Sequence, residues 1–296
     1  MNKVTGCVAA IATLIVAPAF AATAPTRAHA SVYNWTGWYI GVNAGGSLGT
    51  VKTDINGAPI FGTTTSTVQL TPGFGLSDSL HPSGFIGGGQ IGYNWQYSPL
   101  IVVGFEADIQ GPLERDTNNN LSSQFNFGTL STLGAGCGAA TGQTTSPCAV
   151  AASYQTQIDW FGTVRARLGY VWGDGEVMSY LTGGLAYGEV KVSGTNTVSG
   201  LACAFGGCGG FSFSQIFGQS HVNTGWVLGY GTEGHLPLMP GNWTWKAEAL
   251  YMDLGTLDTR SVTSANSDPT FFSGGQVTTQ SHFTDWILRG GLNYRF

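Results

Sequence analysis

The last twelve residues, DWILRGGLNYRF, place large apolar or aromatic side chains on every second position and leave Asp285, Arg289, Asn293 and Arg295 in the gaps. Successive residues of a strand point to opposite faces, so the pattern puts grease on one face and charge on the other. Such a strand needs an apolar surrounding on one side and paired polar groups on the other.

The same period of two recurs in about eight segments, roughly 35–49, 83–97, 100–111, 156–172, 176–192, 222–236, 242–254 and 282–296. Each is long enough for the roughly 9 to 11 tilted residues that cross a bilayer as a strand. Their connections alternate in length. YSPL, GDGE and PLMPG are short and rich in turn formers, whereas the other four connections run to about 33, 43, 29 and 27 residues and are rich in Gly, Ser, Thr and Asn. Tight turns on one side and long polar loops on the other are the layout of an outer-membrane barrel. Trp35, Trp38, Tyr93, Trp95, Tyr170, Trp172, Tyr180, Trp243, Trp245 and Tyr294 all fall near the short turns, which predicts a one-sided aromatic belt at the periplasmic boundary.

Composition agrees. Charged residues make up 9% of the chain, against about 25% in a soluble domain, and the 46 glycines suit many short, softened strands better than helices. A formal net charge of −5 with no basic run gives nucleic acid nothing to hold and excludes it as a partner. Lys3, the apolar run from Cys7 to Ala17 and the small-x-small site at Ala19–Ala21 read as a secretory signal peptide over 1–21. A periplasmic segment over 22–34 and a barrel over 35–296 follow. Beyond the signal, no stretch approaches the roughly 18 apolar residues of a membrane-spanning helix.

Register assigns the faces. Ile101, Val103, Phe105 and Ile109 oppose Glu106 and Asp108; Val164, Leu168 and Tyr170 oppose Asp159, Arg165 and Arg167. Leu228 and Tyr230 oppose Glu233; Trp243 and Trp245 oppose Lys246 and Glu248; Leu288 and Leu292 oppose Arg289. A basic residue on the lipid face at the midplane costs about 2 to 4 kcal/mol, so these charges point inward. The fifth segment does not settle its own face. Eight strands enclose an interior just wide enough for side chains to fill. Into it go Glu106, Asp108, Asp159, Glu233 and Glu248 with Arg165, Arg167, Lys246 and Arg289, a nearly neutral set that pairs into a plug rather than an open channel. A gated conduction path is the alternative.

Four cysteines remain after the signal, all in predicted outer loops, and an oxidising compartment makes Cys137–Cys148 and Cys203–Cys208 two expected local disulfides. Their spacing is not that of a zinc site, and no metal or other cofactor is expected. GGGQIG at Gly87–Gly92 matches a dinucleotide fingerprint without the helix that it requires. GGSLG around Ser47 lacks the strand-turn-helix of a nucleophile elbow. His81, His221, His235 and His282 are scattered, so no catalytic residue is assigned and no enzyme is expected.

Taken together, NWTGWYIGVNAGGSLG, GFIGGGQIGYNWQ, VVGFEADIQG, DWFGTVRARLGYVW, YLTGGLAYGEV, WKAEALYMDLG and the terminal DWILRGGLNYRF resemble the small outer-membrane β-barrels of proteobacteria, the immunogenic surface antigens also called porin-family or OmpA-like barrels. The resemblance covers the chain from about Val32. It implies an all-β, antiparallel, up-and-down transmembrane barrel of eight strands in the outer membrane of a Gram-negative bacterium, with short periplasmic turns and four long extracellular loops. Its partners would be outer-membrane lipid and lipopolysaccharide, the assembly machinery that reads Tyr294 and Phe296, and a host-surface or haem ligand on the loops. The function that follows is a structural surface barrel with adhesion, antigen or ligand-capture loops. Passage of small hydrophilic solutes is the alternative.

Overall fold

The computed structural model describes residues 33–57, 60–63, 67–71, 74–112, 117–125, 148–204, 207–239, 242–260, 272–274 and 277–296. Tyr33–Phe296 forms one compact unit. The predicted signal peptide and most of the predicted 22–34 segment therefore lie outside the described residues.

Eight long strands make the wall: β1 (Gly37–Gly57), β2 (Ser83–Ser98), β3 (Ile101–Pro112), β4 (Cys148–Trp172), β5 (Val177–Ala204), β6 (Gly207–His235), β7 (Trp243–Arg260) and β8 (Val277–Arg295). Each pairs antiparallel with the next, and β8 returns to β1 from Tyr39↔Arg295 to Gly57↔Val277, which closes the ring. Two shorter strands lengthen the wall, Phe74–Leu80 on β1 and Thr117–Phe125 on β4. The first runs into β2 on the same partner, interrupted at His81 and Pro82, where proline cannot donate to a ladder. A separate three-stranded sheet joins Phe272–Gly274, Ile60–Thr63 and Thr67–Thr71. The turn at 173–176 places Gly173, Asp174 and Gly175 at φ of 63°, 57° and 91°, a left-handed run that only Gly and Asp or Asn accept at low cost.

The strands outrun their sequence boundaries on the side away from the short turns. The connection of about 29 residues from Ser193 is mostly strand: β5 and β6 continue as one hairpin to Ala204 and Gly207. Likewise β4 begins at Cys148 and β1 continues to Gly57. Gly, Ser, Thr and Asn read as loop formers one at a time, but here Lys52, Asp54, Asn56, Ser153 and Ser193 take outer positions of an alternation whose inner positions hold Val51, Ile55, Ala152, Tyr154, Val190 and Val192, together with Thr53 and Thr156.

Outward residues on the lower half are large and apolar, with Leu181 64%, Leu185 68%, Leu48 61% and Leu288 60% exposed. The fifth strand thereby takes a definite face, with Met178, Tyr180, Thr182 and Ala186 inside. Trp38, Trp95, Tyr97, Tyr170, Trp172 and Phe296 stand exposed near the short turns. Trp35 and Tyr180, counted with that belt by sequence, are instead buried inside. A second outward group lies about ten residues up the strands, where Trp160 meets Tyr187, Trp226 meets Tyr251 and Tyr251 meets Trp286 at 6.1, 5.5 and 5.0 Å. The belt is thus two-sided. At about 3.3 Å per residue and a tilt near 40°, the two rings stand about 25 Å apart, the height of an outer-membrane apolar band.

Above the second ring the wall divides. Among the described residues β6 pairs with β7 only between Trp226–His235 and Asp253–Thr244, and β2 with β3 only from Ile86↔Pro112 downward. Among the described residues, the projecting wall is two sheets, one of Thr117–Phe125, β4, β5 and β6, the other of Phe74–Leu80, β1, β8 and β7, besides the separate three-stranded sheet. Val190, Val192, Tyr154 and Phe217 of the first pack with Val51, Ile55, Leu254, Leu257 and Phe283 of the second.

Candidate functional site

The lower mouth is stopped by residues that precede the first strand. Trp35 is fully buried and donates from its indole to the Gly175 carbonyl at 3.0 Å. Tyr33 stacks on His235 at 4.5 Å, and the Arg295 guanidinium lies over the Tyr33 and Trp35 rings at 5.1 and 5.5 Å while donating to the Asn34 carbonyl. Tyr33 and Asn34, assigned by sequence to a preceding segment, thus belong with the barrel unit.

Above this stopper lies a charge network. Glu106 of β3 is its hub. It accepts from Lys246 of β7 at 2.7 and 2.8 Å and from Arg167 of β4 at 3.4 Å, pairs closely with Arg165, and stands 3.6 Å from Arg289 of β8. Glu248 receives Arg289 at 2.8 Å, Lys246 at 3.2 Å and Arg165 at 3.3 Å. Asp108 receives Arg289 at 2.8 Å and Arg165 at 3.0 Å, and Glu233 receives Arg167 at 2.8 Å. These side chains are at most 2% exposed. Four acids and four bases meet here, so the cluster is neutral, which burial of charge requires.

Neutral side chains complete it, and of these sequence reasoning placed only Asn293 on the charge-bearing face. Tyr39 donates to Glu106 at 2.8 Å and accepts from Arg167 at 2.5 Å. Tyr180 donates to Glu248 at 2.8 Å, and the Arg167 guanidinium lies 3.8 Å above its ring. Thr163 donates to Asp108, while Thr244 and Asn293 donate to Glu233. The two tyrosines reach across neighbouring strands only because those strands carry glycine. A Cβ on Gly92 would stand 2.3 Å from the Tyr39 hydroxyl, and one on Gly231 2.5 Å from the Tyr180 ring. An inward tyrosine facing a glycine on the next strand was the available signal.

One predicted member is not in the lumen. Asp159 sits at a register shift between Ile158 and Trp160, and its carboxylate pairs with Lys191, which is 40% exposed. The extra residue of a bulge breaks the alternation from which its face was inferred. Nearby, beyond the second aromatic ring, Glu189 accepts from Ser220 and from the Trp160 indole; these bonds and the Lys191 charge hold its carboxyl below the usual carboxylate range.

Of the remaining predicted positions, Cys137 lies outside the described residues. Cys148 begins β4, and Cys203 and Cys208 are direct cross-strand partners in the β5–β6 hairpin. Tyr294 and Phe296 stack edge to face at 5.6 Å, and the Phe296 amide donates to the Trp38 carbonyl. His282 lies 3.1 Å from Asp253 on the outer face. Among the described residues no group of three or more His, Cys, Asp or Glu is disposed to hold a metal.

This barrel architecture agrees with what the chain is similar to. The sequence profile described as outer membrane protein beta-barrel domain matches residues 8–296. The chain belongs to that family. It is an outer-membrane β-barrel of a Gram-negative bacterium. The 31 kDa outer-membrane immunogenic proteins of Brucella melitensis biotype 1 and Brucella suis biovar 1 are each 33% identical to it over 276 residues, 93% of this chain and 89% of theirs. Among solved structures, the attachment invasion locus protein Ail of Yersinia pestis aligns over 84% of this chain and 99% of its own at 13% identity and a TM-score of 0.26, too remote to carry an argument.

Proposed function

We propose that this outer-membrane barrel is a non-enzymatic surface protein whose lumen is sealed, with its projecting section and loops as the working surface for antigenic, adhesive or ligand-capturing contacts. The neutral, fully buried network of Glu106, Asp108, Glu233, Glu248, Arg165, Arg167, Lys246 and Arg289 carries this reading, because moving a hydrated ion through it means separating charges already removed from water. The immunogenic Brucella relatives support exposure of the outer parts. Lipopolysaccharide and outer-membrane lipid surround the wall, and the Tyr294–Phe296 end is what the assembly machinery reads. Cys203–Cys208 and Cys137–Cys148 close as disulfides that staple the outer hairpins, the first supported by direct cross-strand register. Haem or a host-surface molecule is the ligand class for the loops.

Passage of small hydrophilic solutes is the second reading. Asn94, Gln110 and one oxygen of Asp108 carry buried polar atoms without a partner among the described residues along the β2–β3 wall, and such atoms attract water. Planar-bilayer recording of refolded protein separates the two. The sealed lumen gives no stable current of porin size, and a steady current of that size overturns it.

A further inference from the structure

Arg295 is a further base turned into the barrel, and it lacks an acid. Arg165, Arg167, Lys246 and Arg289 are matched by the four acids of the network, whereas Arg295, at 3% exposure, forms no ion pair among the described residues. The acids of the turn at 173–176, Asp174 and Glu176, stand exposed and do not pair with it. Residues 1–32 and 240–241, which adjoin this mouth in sequence, contain neither Asp nor Glu. Burial of a cation without a counter-charge is strongly unfavourable, so the position calls for an anion from elsewhere.

The donors of Arg295 show where that anion fits. Nη1 donates to the Asn34 carbonyl at 2.9 Å, and the guanidinium lies over the Tyr33 and Trp35 rings. Among the described residues Nε is buried without a partner and Nη2 has none. The free edge is therefore Nε with Nη2, the side-on fork whose two N–H groups match the two oxygens of a carboxylate. Gly37, at φ 144°, brings no side chain beside it; a Cβ there would stand 3.9 Å from Nη2. The Tyr33 hydroxyl is buried, completes no hydrogen bond among the described residues and lies close enough to feel the Arg295 charge. Two side chains thus offer donors at one place with no acceptor to take them.

We propose that this edge of Arg295, with the Tyr33 hydroxyl, binds a small free monocarboxylate at the periplasmic mouth. Charge selects a monoanion, because one negative charge neutralises the one unmatched guanidinium. A dianion such as sulfate leaves a surplus charge in a buried place, and a water molecule satisfies Nε while leaving the cation unmatched. Size selects a free acid over one carried on a peptide, since Trp35 is fully buried and Arg295 nearly so, which leaves no room for a chain. The bound group bridges Tyr33, ahead of β1, to the end of β8, and so fastens the stopper across the seam where the ring closes.

Refolded full-length protein carrying 15N-labelled arginine tests this in detergent micelles, read by NMR at the Arg295 Nε–H. That signal is assigned by its loss in Arg295→Lys or, should that chain not refold, by its displacement in Tyr33→Phe. At constant ionic strength acetate moves the resonance saturably, and the neutral isostere acetamide leaves it in place. Sulfate and the peptide alanyl-alanyl-alanine bind at least about tenfold more weakly than acetate. Tyr33→Phe, which keeps the ring and removes the donor, weakens acetate at least about threefold with unchanged heat-modifiable gel mobility. An unmoved resonance in acetate, an equal response to acetamide, sulfate or peptide binding as tightly as acetate, or an unaltered affinity in Tyr33→Phe each overturns the proposal. None of these outcomes depends on whether the lumen conducts.

Discussion

The same strands serve two different surroundings along their length, and they sort residues oppositely in each. Between the aromatic rings, Leu185, Leu181 and Leu288 face outward while Glu106, Arg165 and Lys246 fill the inside. Above the second ring, Lys52, Asp54 and Ser220 face outward, and Ile55, Val190 and Phe217 are enclosed. β1 makes this change without altering its parity, since its odd-numbered residues point inward from Tyr39 to Gly57. Only the residue types change. The lesson is that strand alternation fixes two faces, and the solvent outside decides which face is to be greasy. Hydrocarbon outside leaves the inside as the only place for charge; water outside restores the ordinary gain of about 1.5 to 3 kcal/mol for burying each large apolar side chain.

That contrast can be broken from either end. Glu106→Leu leaves Arg165 and Lys246 buried without their main partner and lowers stability by about 3 to 5 kcal/mol, read as an earlier midpoint in urea unfolding of the folded barrel in detergent. Leu254→Ala in the projecting core costs about 2 to 5 kcal/mol. Its hydrogen-exchange protection falls chiefly in the strands above the second aromatic ring, and equal loss throughout the wall would mean that the two sections unfold as one. A paired insertion gives the smaller effects. Leu185→Arg on the lipid face costs about 2 to 4 kcal/mol in a bilayer, whereas Ser79→Arg on the projecting face stays within about 0.5 kcal/mol. Equal costs for the two arginines, measured by unfolding in lipid vesicles, would remove the boundary placed at Trp160, Tyr251 and Trp286.

Much of the membrane section was readable because a charge facing lipid is so costly that parity leaves one choice. Glu106, Asp108, Arg165, Arg167, Glu233, Lys246, Glu248 and Arg289 were all placed on the inward face by alternation, and there the structure has them. Asp159 was misplaced because a bulge is invisible to a rule that counts by twos. The fifth strand hid its face because Gly183 and Gly184 interrupt its alternation where Leu181 and Leu185 would otherwise settle it. The second aromatic ring was missed because its members lie in mid-segment by sequence. They stand at a boundary only once the strands are seen to continue past them.

From its sequence alone this chain determined that it crosses a membrane as strands, which face of most strands meets lipid, and which charges are kept from it. These follow from a period of two and the expense of charge in hydrocarbon, both local properties. Which acid meets which base, how far the wall rises above the bilayer and where it parts into two sheets were decided only by the closed ring. Pairing depends on the register of strands distant in the chain, so that Glu106 gathers partners from β4, β7 and β8, and no local pattern encodes that register.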